Sequence, residues 1–322
     1  MKLAILSQEK EKIKTFLNNF GLKFQDQDYS FYIEDGAKII GTVSVKGNII
    51  QNFAVDPAYQ GENLAGVMIS EVLSFLQKRK IYYLQVYTNP KNKEIFRSLG
   101  FLEIISTEAV SLLESAHRPI LRVLNEYKKE YNIDDKDLGC TVMNCNPFTF
   151  GHRYLIEEAS KLHKRLLVFV VEEDSSFFSY RDRLRLVQDG TKDLVNVTVL
   201  PSSDYLVSSL TFPTYFLKED VDEVVIQAKC DALIFRKYFL PIFGIKERYL
   251  GTETDPLTNK YNQVLKEVLE DKVVIMDRLK NGSEIISASL VRKLFALKDF
   301  ESLKNLVPKT TLEFLKNYER DS

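Results

Sequence analysis

Two short segments carry residue types at spacings suited to chemistry on phosphates. The first is Asn144-Cys145-Asn146-Pro147-Phe148-Thr149-Phe150-Gly151-His152, which follows the apolar run Cys140 to Met143 and opens a helical pattern. A helix N-terminus presents unpaired backbone N–H groups and a partial positive charge, both suited to an anion. Gly151 permits close approach of the backbone to a ligand. Thr149 adds a hydroxyl to the same rim, and His152 places an imidazole in the first turn. The second segment is Ile286-Ser287-Ala288-Ser289-Leu290-Val291-Arg292. Ser287 stands in an N-cap position with Ser289 in the first turn, and Arg292 offers a charged, bidentate contact. Taken singly, each segment also reads as an ordinary helix start, with His152 a surface residue and Arg292 incidental. Each can equally hold phosphate oxygens at its helix start. An anionic nucleophile at such a site is already ionised at pH 7, so no strong base is needed. Catalysis would be positioning and charge stabilisation, with His152 a charge stabiliser.

The chain has only three histidines, His117, His152 and His163. His117 falls in a linker and His163 near a helix end, which leaves His152 alone in a phosphate-binding context. Cys140 and Cys145 lack the close Cys partners of zinc modules and read as core thiols, so no protein-held metal site is expected.

The elements that must position these residues follow from periodicity and turn signals. Residues 8–20 predict a helix, 29–34 and 37–45 two strands around the turn Asp35-Gly36, and 49–55 a further strand. A turn-rich stretch leads into a helix over 64–79, then a strand over 81–87, a helix over 92–99 stopped by Gly100, and a strand over 101–106. A charged amphipathic stretch runs over 117–131, from Arg118-Pro119. Beyond it strands and helices alternate: strand 140–143, helix 152–164, strand 166–171, helix 180–190, strands 195–200 and 231–235, helix 258–270, strand 272–276 and helix 288–297. That rhythm predicts a doubly wound parallel sheet, with ligands at the carboxyl ends of its strands. The run Lys309 to Tyr318 reads as a packing helix. The domains expected are 1–115, a linker helix over 116–137, and 138–322.

With 322 residues, about two domains are expected. Forty-four basic against 45 acidic residues give a formal charge of -1, which argues against a nucleic-acid or anionic-membrane surface as partner. No apolar run approaches the ~20 residues of a membrane span. The N-terminus lacks a signal-peptide pattern, and three cysteines without repeated spacing suit reduced thiols, so a cytoplasmic protein is expected.

Three resemblances sharpen this. Thr149-Phe150-Gly151-His152 resembles the Thr-x-Gly-His signature of HIGH-superfamily nucleotidyltransferases, in a strand–loop–helix context. Ile286 to Arg292 resembles the second signature of that superfamily, Ile-Ser-x-(Ser/Thr)-x-(Val/Ile)-Arg. The resemblance implies ATP with Mg²⁺, a nucleophile joined to the α-phosphate, and pyrophosphate released. Thr149, His152 and Arg292 would be the catalytic groups. Asn146, Pro147, Phe148, Gly151, Ile286, Ser287 and Ser289 would line the nucleotide. Gly251-Thr252-Glu253 resembles a nucleotide-contacting turn of the same group. Val55-Asp56-Pro57-Ala58-Tyr59-Gln60-Gly61-Glu62-Asn63-Leu64-Ala65 resembles motif A of the GNAT acetyltransferases, whose backbone amides bind the pyrophosphate of coenzyme A. Val55, Gln60, Gly61, Asn63 and Ala65 would therefore hold a CoA-like arm. Asn63 stands where glycine is usual, and asparagine tolerates left-handed dihedrals. Asn89 to Phe101 is similar to a later GNAT segment. No general base for amine acetylation is evident.

A GNAT-like α/β domain before a Rossmann-like nucleotidyltransferase domain, over about residues 29–298, is similar to the citrate lyase ligase family. Longer stretches carry this likeness: Asn144 to Ala159, Tyr180 to Leu184, Ser203 to Lys218, and Arg248 to Glu253 followed by Tyr261-Asn262-Gln263. Arg183 and Asp204 lie within these stretches and equally suit a helix surface and a turn. Relatives carry a Pro-Arg pair before the second signature; here the region reads Met276-Asp277-Arg278-Leu279-Lys280, with Arg278 as the candidate substitute. The likeness implies that ATP and acetate form acetyl-adenylate and pyrophosphate. The thiol of a CoA-derived group on the citrate lyase acyl carrier protein then takes the acetyl group and releases AMP. The rival readings are an adenylyltransferase making a dinucleotide of the NAD or dephospho-CoA type, and a carrier-protein binding module with a decayed nucleotide site.

Overall fold

The structure, a computed structural model, describes residues 1–24, 27–61, 63–117, 119–172, 176–206, 212–213, 217, 222–253, 255–281 and 284–318. The chain forms two compact units, Met1–Arg122 with Pro213–Ile226, and Val123–Phe212 with Gln227–Ser322.

The first unit contains β1 (Lys2–Leu3), α1 (Ser7–Asn18), β2 (Tyr29–Asp35), β3 (Lys38–Lys46), β4 (Ile49–Val55), α2 (Leu64–Gln77), β5 (Gln85–Thr88), α3 (Lys93–Ser98), β6 (Phe101–Ser106) and β7 (Ser111–Ser115). They form one sheet in the order β1-β2-β3-β4-β5-β7-β6. Gly36, at φ +59, turns the β2–β3 hairpin as its Asp-Gly signal predicts. α2 buries Met68, Ile69, Val72 and Leu76, a helical stripe, against Phe31, Val43, Val45, Ile50 and Val86 of the sheet. β4 and β5 are the parallel pair, and they match at only two positions, Ile49 with Gln85 and Ile50 with Val86. Beyond them the ladder stops, and a cavity opens beside the last residues of β4.

After α4 (Ile120–Glu130), the second unit continues with β8 (Leu138–Met143), α5 (Phe150–Ser160), β9 (Leu166–Val170), α6 (Tyr180–Thr191), β10 (Val197–Pro201), α7 (Glu223–Ile234), α8 (Leu240–Phe243), β11 (Ile245–Gly251), α9 (Pro256–Leu269) and β12 (Val273–Met276). A small hairpin, β13 (Lys280–Asn281) and β14 (Glu284–Ile285), then leads to α10 (Ala288–Ala296), α11 (Phe300–Leu303) and α12 (Lys309–Asn317). The sheet order is β10-β9-β8-β11-β12, with every pair parallel. The chain winds outward from β8 to β10 on one side, then restarts at β11 on the other. The gap between β8 and β11 is therefore the topological switch point, where such sheets place their ligands. β9 is buried along its whole length, as its uninterrupted apolar run requires.

One expected element is wrong. Residues 231–235 form no strand; they close α7 and begin a π-helical stretch over Phe235–Phe239. Nine of the twelve residues from Val224 to Phe235 are apolar, and the polar Gln227 and Asp231 are themselves buried, so the helix lacks the wet face that marks an amphipathic one. The expected stretch Ser203 to Lys218 lies largely outside the described residues, as do Arg118 and Glu62.

Candidate active site

At the switch point a cavity of about 1060 Å³ is lined by the ends of β8 and β11 and by the starts of α5 and α10. Thr149 caps α5. Its Oγ1 accepts the backbone N–H of His152 at 3.3 Å, and its own backbone N–H donates to His152 Nδ1 at 3.1 Å. A backbone N–H can only donate, so Nδ1 is the unprotonated nitrogen and the imidazole proton sits on Nε2. Phe148 stacks on the imidazole at a 13° interplanar angle. Gly190 makes room for that phenyl ring, because a Cβ there would come within 2.5 Å of it. Burial, aided by the positive charge of Arg278, pushes the His152 pKa down to about 4. The side chain is thus a neutral N–H donor lining the cavity and still partly exposed to it.

Ser287 caps α10, its Oγ accepting the N–H of Leu290 at 3.2 Å. The two motifs meet at Gly151, where a Cβ would lie 2.9 Å from the carbonyl oxygen of Ile286. Glycine is therefore required there for contact between the two helix starts, in addition to any approach of a ligand. Arg292 crosses the same seam, donating to the carbonyl of Asn146 and, at 3.2 Å, to Ser289 Oγ.

Of the nucleotide residues expected from the sequence, Asn146, Gly151, Gly251, Glu253, Ile286, Ser287 and Ser289 line the cavity, together with Thr149, His152 and Arg292. Pro147, Phe148 and Thr252 do not line it. Phe148 is fully buried behind His152, and the Thr252 hydroxyl accepts the backbone N–H of Arg278. Thr149 is buried with its hydroxyl turned into the cap, so it positions His152. Glu253 pairs with Arg278, and both line the cavity.

Arg183 is no helix-surface residue; it is fully buried. Its Nη1 donates to the carbonyls of Asn144 at 2.7 Å and Val171 at 3.0 Å, and its Nε to that of Phe178 at 3.2 Å. It clamps the loop after β8 to the end of β9 and the start of α6. Asp204 is exposed in a turn. His163 donates from Nδ1 to the Asp137 carbonyl and packs over Gly139. His117 contacts the Tyr82 ring. All three cysteines are buried free thiols, and burial pushes Cys140 up to about 12. No helix among the described residues is long and apolar enough to cross a membrane.

In the first unit a separate cavity of about 940 Å³ is lined by Val55, Gln60, Gly61, Asn63 and Ala65. Gly61 lies at φ +102 and Asn63 at φ +56. Asn63 takes the left-handed conformation usually left to glycine, and its side chain lies over Gly66, where a Cβ would come within 2.5 Å of Oδ1.

Comparison with known proteins agrees with this architecture. The family model for the citrate lyase ligase C-terminal domain matches residues 138–315, and that for the acetyltransferase (GNAT) domain matches residues 5–111. The chain is 35% identical over 335 residues to the [citrate [pro-3S]-lyase] ligase of Haemophilus influenzae, covering 99% of this chain and 100% of that one. It is 37% identical over 289 residues to the Escherichia coli protein of the same name, covering 87% and 82%. For the Klebsiella pneumoniae protein of that name the figures are 35% over 318 residues, 95% and 92%. Two domain matches in the observed order, and relatives aligned over nearly their full length, lead to one conclusion: the chain belongs to the citrate lyase ligase family.

Proposed function

We propose that this chain activates acetate with ATP and transfers the acetyl group to the thiol of a CoA-derived group on the citrate lyase acyl carrier protein. A carboxylate oxygen of acetate attacks the α-phosphorus, the bond to pyrophosphate breaks, and acetyl-adenylate forms. The thiolate then attacks the acyl carbon and AMP leaves. The observation that carries this reading is the meeting of two capped helix starts in one cavity around a neutral His152. Nε2–H of His152 donates to a phosphate oxygen as charge builds there, and being neutral it holds no proton that a phosphate could take. Backbone N–H groups of α5 and α10, with Ser287, Ser289 and Arg292, hold the remaining phosphate oxygens. Arg278 and Glu253 close the nucleotide side.

A magnesium ion would offset phosphate charge when bound. Among the described residues no group of three His, Cys, Asp or Glu side chains is placed to hold a metal ion. The cavity of the first unit suits the pantetheine part of the carrier arm. Residues 1–115 would then serve the thiol and 138–322 the nucleotide, joined by 116–137. We place the reaction in the cytoplasm, where buried free thiols stay reduced. Exchange of labelled pyrophosphate into ATP tests the first step. Exchange that depends on acetate supports the reading, and exchange that ignores acetate but requires nicotinamide mononucleotide or phosphopantetheine overturns it.

A further inference from the structure

Arg248 sits in the middle of β11 and is 3% exposed, yet it lines the active-site cavity. Its Nη2 donates to Asp231 Oδ2 at 3.0 Å, and its guanidinium lies 4.6 Å from the centre of the Phe235 ring. Its Nε and Nη1 are buried and have no hydrogen-bond partner. Buried donors are normally satisfied, because an unmet one has lost its water and gained no partner in exchange. Arg183 provides the internal contrast. It is equally buried, and both its Nε and its Nη1 reach backbone carbonyls. Asp231 neutralises the charge of Arg248 but leaves two nitrogens without a partner.

The position of Arg248 narrows what could meet those nitrogens. Tyr249 next to it packs in the cluster that holds Leu155 and Ile156 of α5, so by strand alternation Arg248 faces the opposite side of the sheet. There it meets Asp231 and Phe235 and lies near Tyr261 of α9, which is hydrogen-bonded to Asp231. The triphosphate donors come from α5 and α10, and Arg248 belongs to neither. Leu265, one turn beyond Tyr261 on the same face of α9, also lines the cavity. A guanidinium in a cavity wall shared with Tyr261 and Leu265 suits a small anion with a short apolar tail.

We infer that Arg248 binds the carboxylate of the acid that is to be adenylated, holding it through one of its two unpaired nitrogens. This rests on the acid-activating reading above and names the group that selects its substrate. One carboxylate oxygen held by Arg248 leaves the other free to attack the α-phosphorus, and no proton moves in that step. Arg248 is then a substrate-binding residue on the far side of the cavity from His152.

Pyrophosphate exchange by the full chain, with acetate and ATP titrated separately, tests this. Arg248→Met removes the donors. Arg248→Lys keeps a cation beside Asp231. The double variant Arg248→Met with Asp231→Asn removes both charges of the buried pair, in case the single change fails to fold. The expected result is a KM for acetate raised at least tenfold in a variant that melts as the wild type does, with the KM for ATP within about twofold. An unchanged KM for acetate in any such variant overturns the inference, as does an equal rise in both KM values. A wild-type chain without acetate-dependent exchange overturns the acid-activating reading itself. Acetate-dependent wild-type exchange combined with variants that keep its KM overturns only the role of Arg248.

Discussion

His152 shows how one residue can be tuned by its own cap. The N–H of Thr149 occupies Nδ1, Phe148 covers one face, and Arg278 adds positive charge, so the ring stays neutral well below its ordinary pKa of 6.5. His152→Ala should lower acetate-dependent exchange about 10²–10³-fold, the usual loss for one donor to a developing charge. Circular dichroism should show the fold retained, because the side chain is partly exposed. The pH dependence has a definite sign. Between about pH 6.5 and 4 the unfolded chain takes up a proton at this residue that the folded chain refuses. The stabilising contribution of neutral His152 is therefore complete above pH 6.5 and is lost as the pH falls through that window. Denaturant unfolding of wild type and His152→Gln across the window should show the wild type losing the more stability on acidification.

At the scale of elements, the site is a seam between two helix starts. Gly151→Ala would drive a methyl group into the Ile286 carbonyl, and neither side of that contact is a flexible side-chain end. The expected cost is about 1–3 kcal/mol in a denaturant melt. The accompanying fall in exchange should be larger than the stability loss explains, because the shift separates α5 from α10. Arg183 holds the loop before α5 in the same spirit. Arg183→Met would leave the carbonyls of Asn144, Val171 and Phe178 without this partner, at a cost of about 3 kcal/mol or more. The KM for ATP should rise with it. An arginine inside a helical pattern looks like a surface residue until its partners are known, and these come from three separate segments. The helical state of residues 231–235 was hidden for a related reason. Gln227 and Asp231 are polar yet buried, and periodicity separates strand from helix only where one face is wet.

At the scale of the molecule, two units with different cavities suit two successive half-reactions. Ala65→Trp should fill the cavity of the first unit, where Ala65 stands at the start of α2. Acetate-dependent pyrophosphate exchange should stay within about twofold of wild type, while acetyl transfer to a pantetheine thiol should slow at least tenfold. Equal losses in both assays would count against the proposed separation of tasks. The near-neutral formal charge of -1 fits the proposal, in which anions would be held in local pockets by helix starts and single arginines.

Local grammar determined much of this from the sequence alone. Ser287 and Asp35-Gly36 act on neighbours within four residues, so their cap and turn are legible without a fold. The alternation of apolar runs and helical stripes likewise implies a parallel sheet with its ligands at one end. What only the tertiary structure decided depends on residues far apart in the chain. It turned Gly151 into a contact with Ile286, moved Phe148 and Thr252 out of the cavity lining, and buried Arg183 among satisfied carbonyls. It left Arg248 buried with two nitrogens unmet. Hydrogen-bond satisfaction is a sum over every neighbour in space, and a sequence names only the neighbours in line.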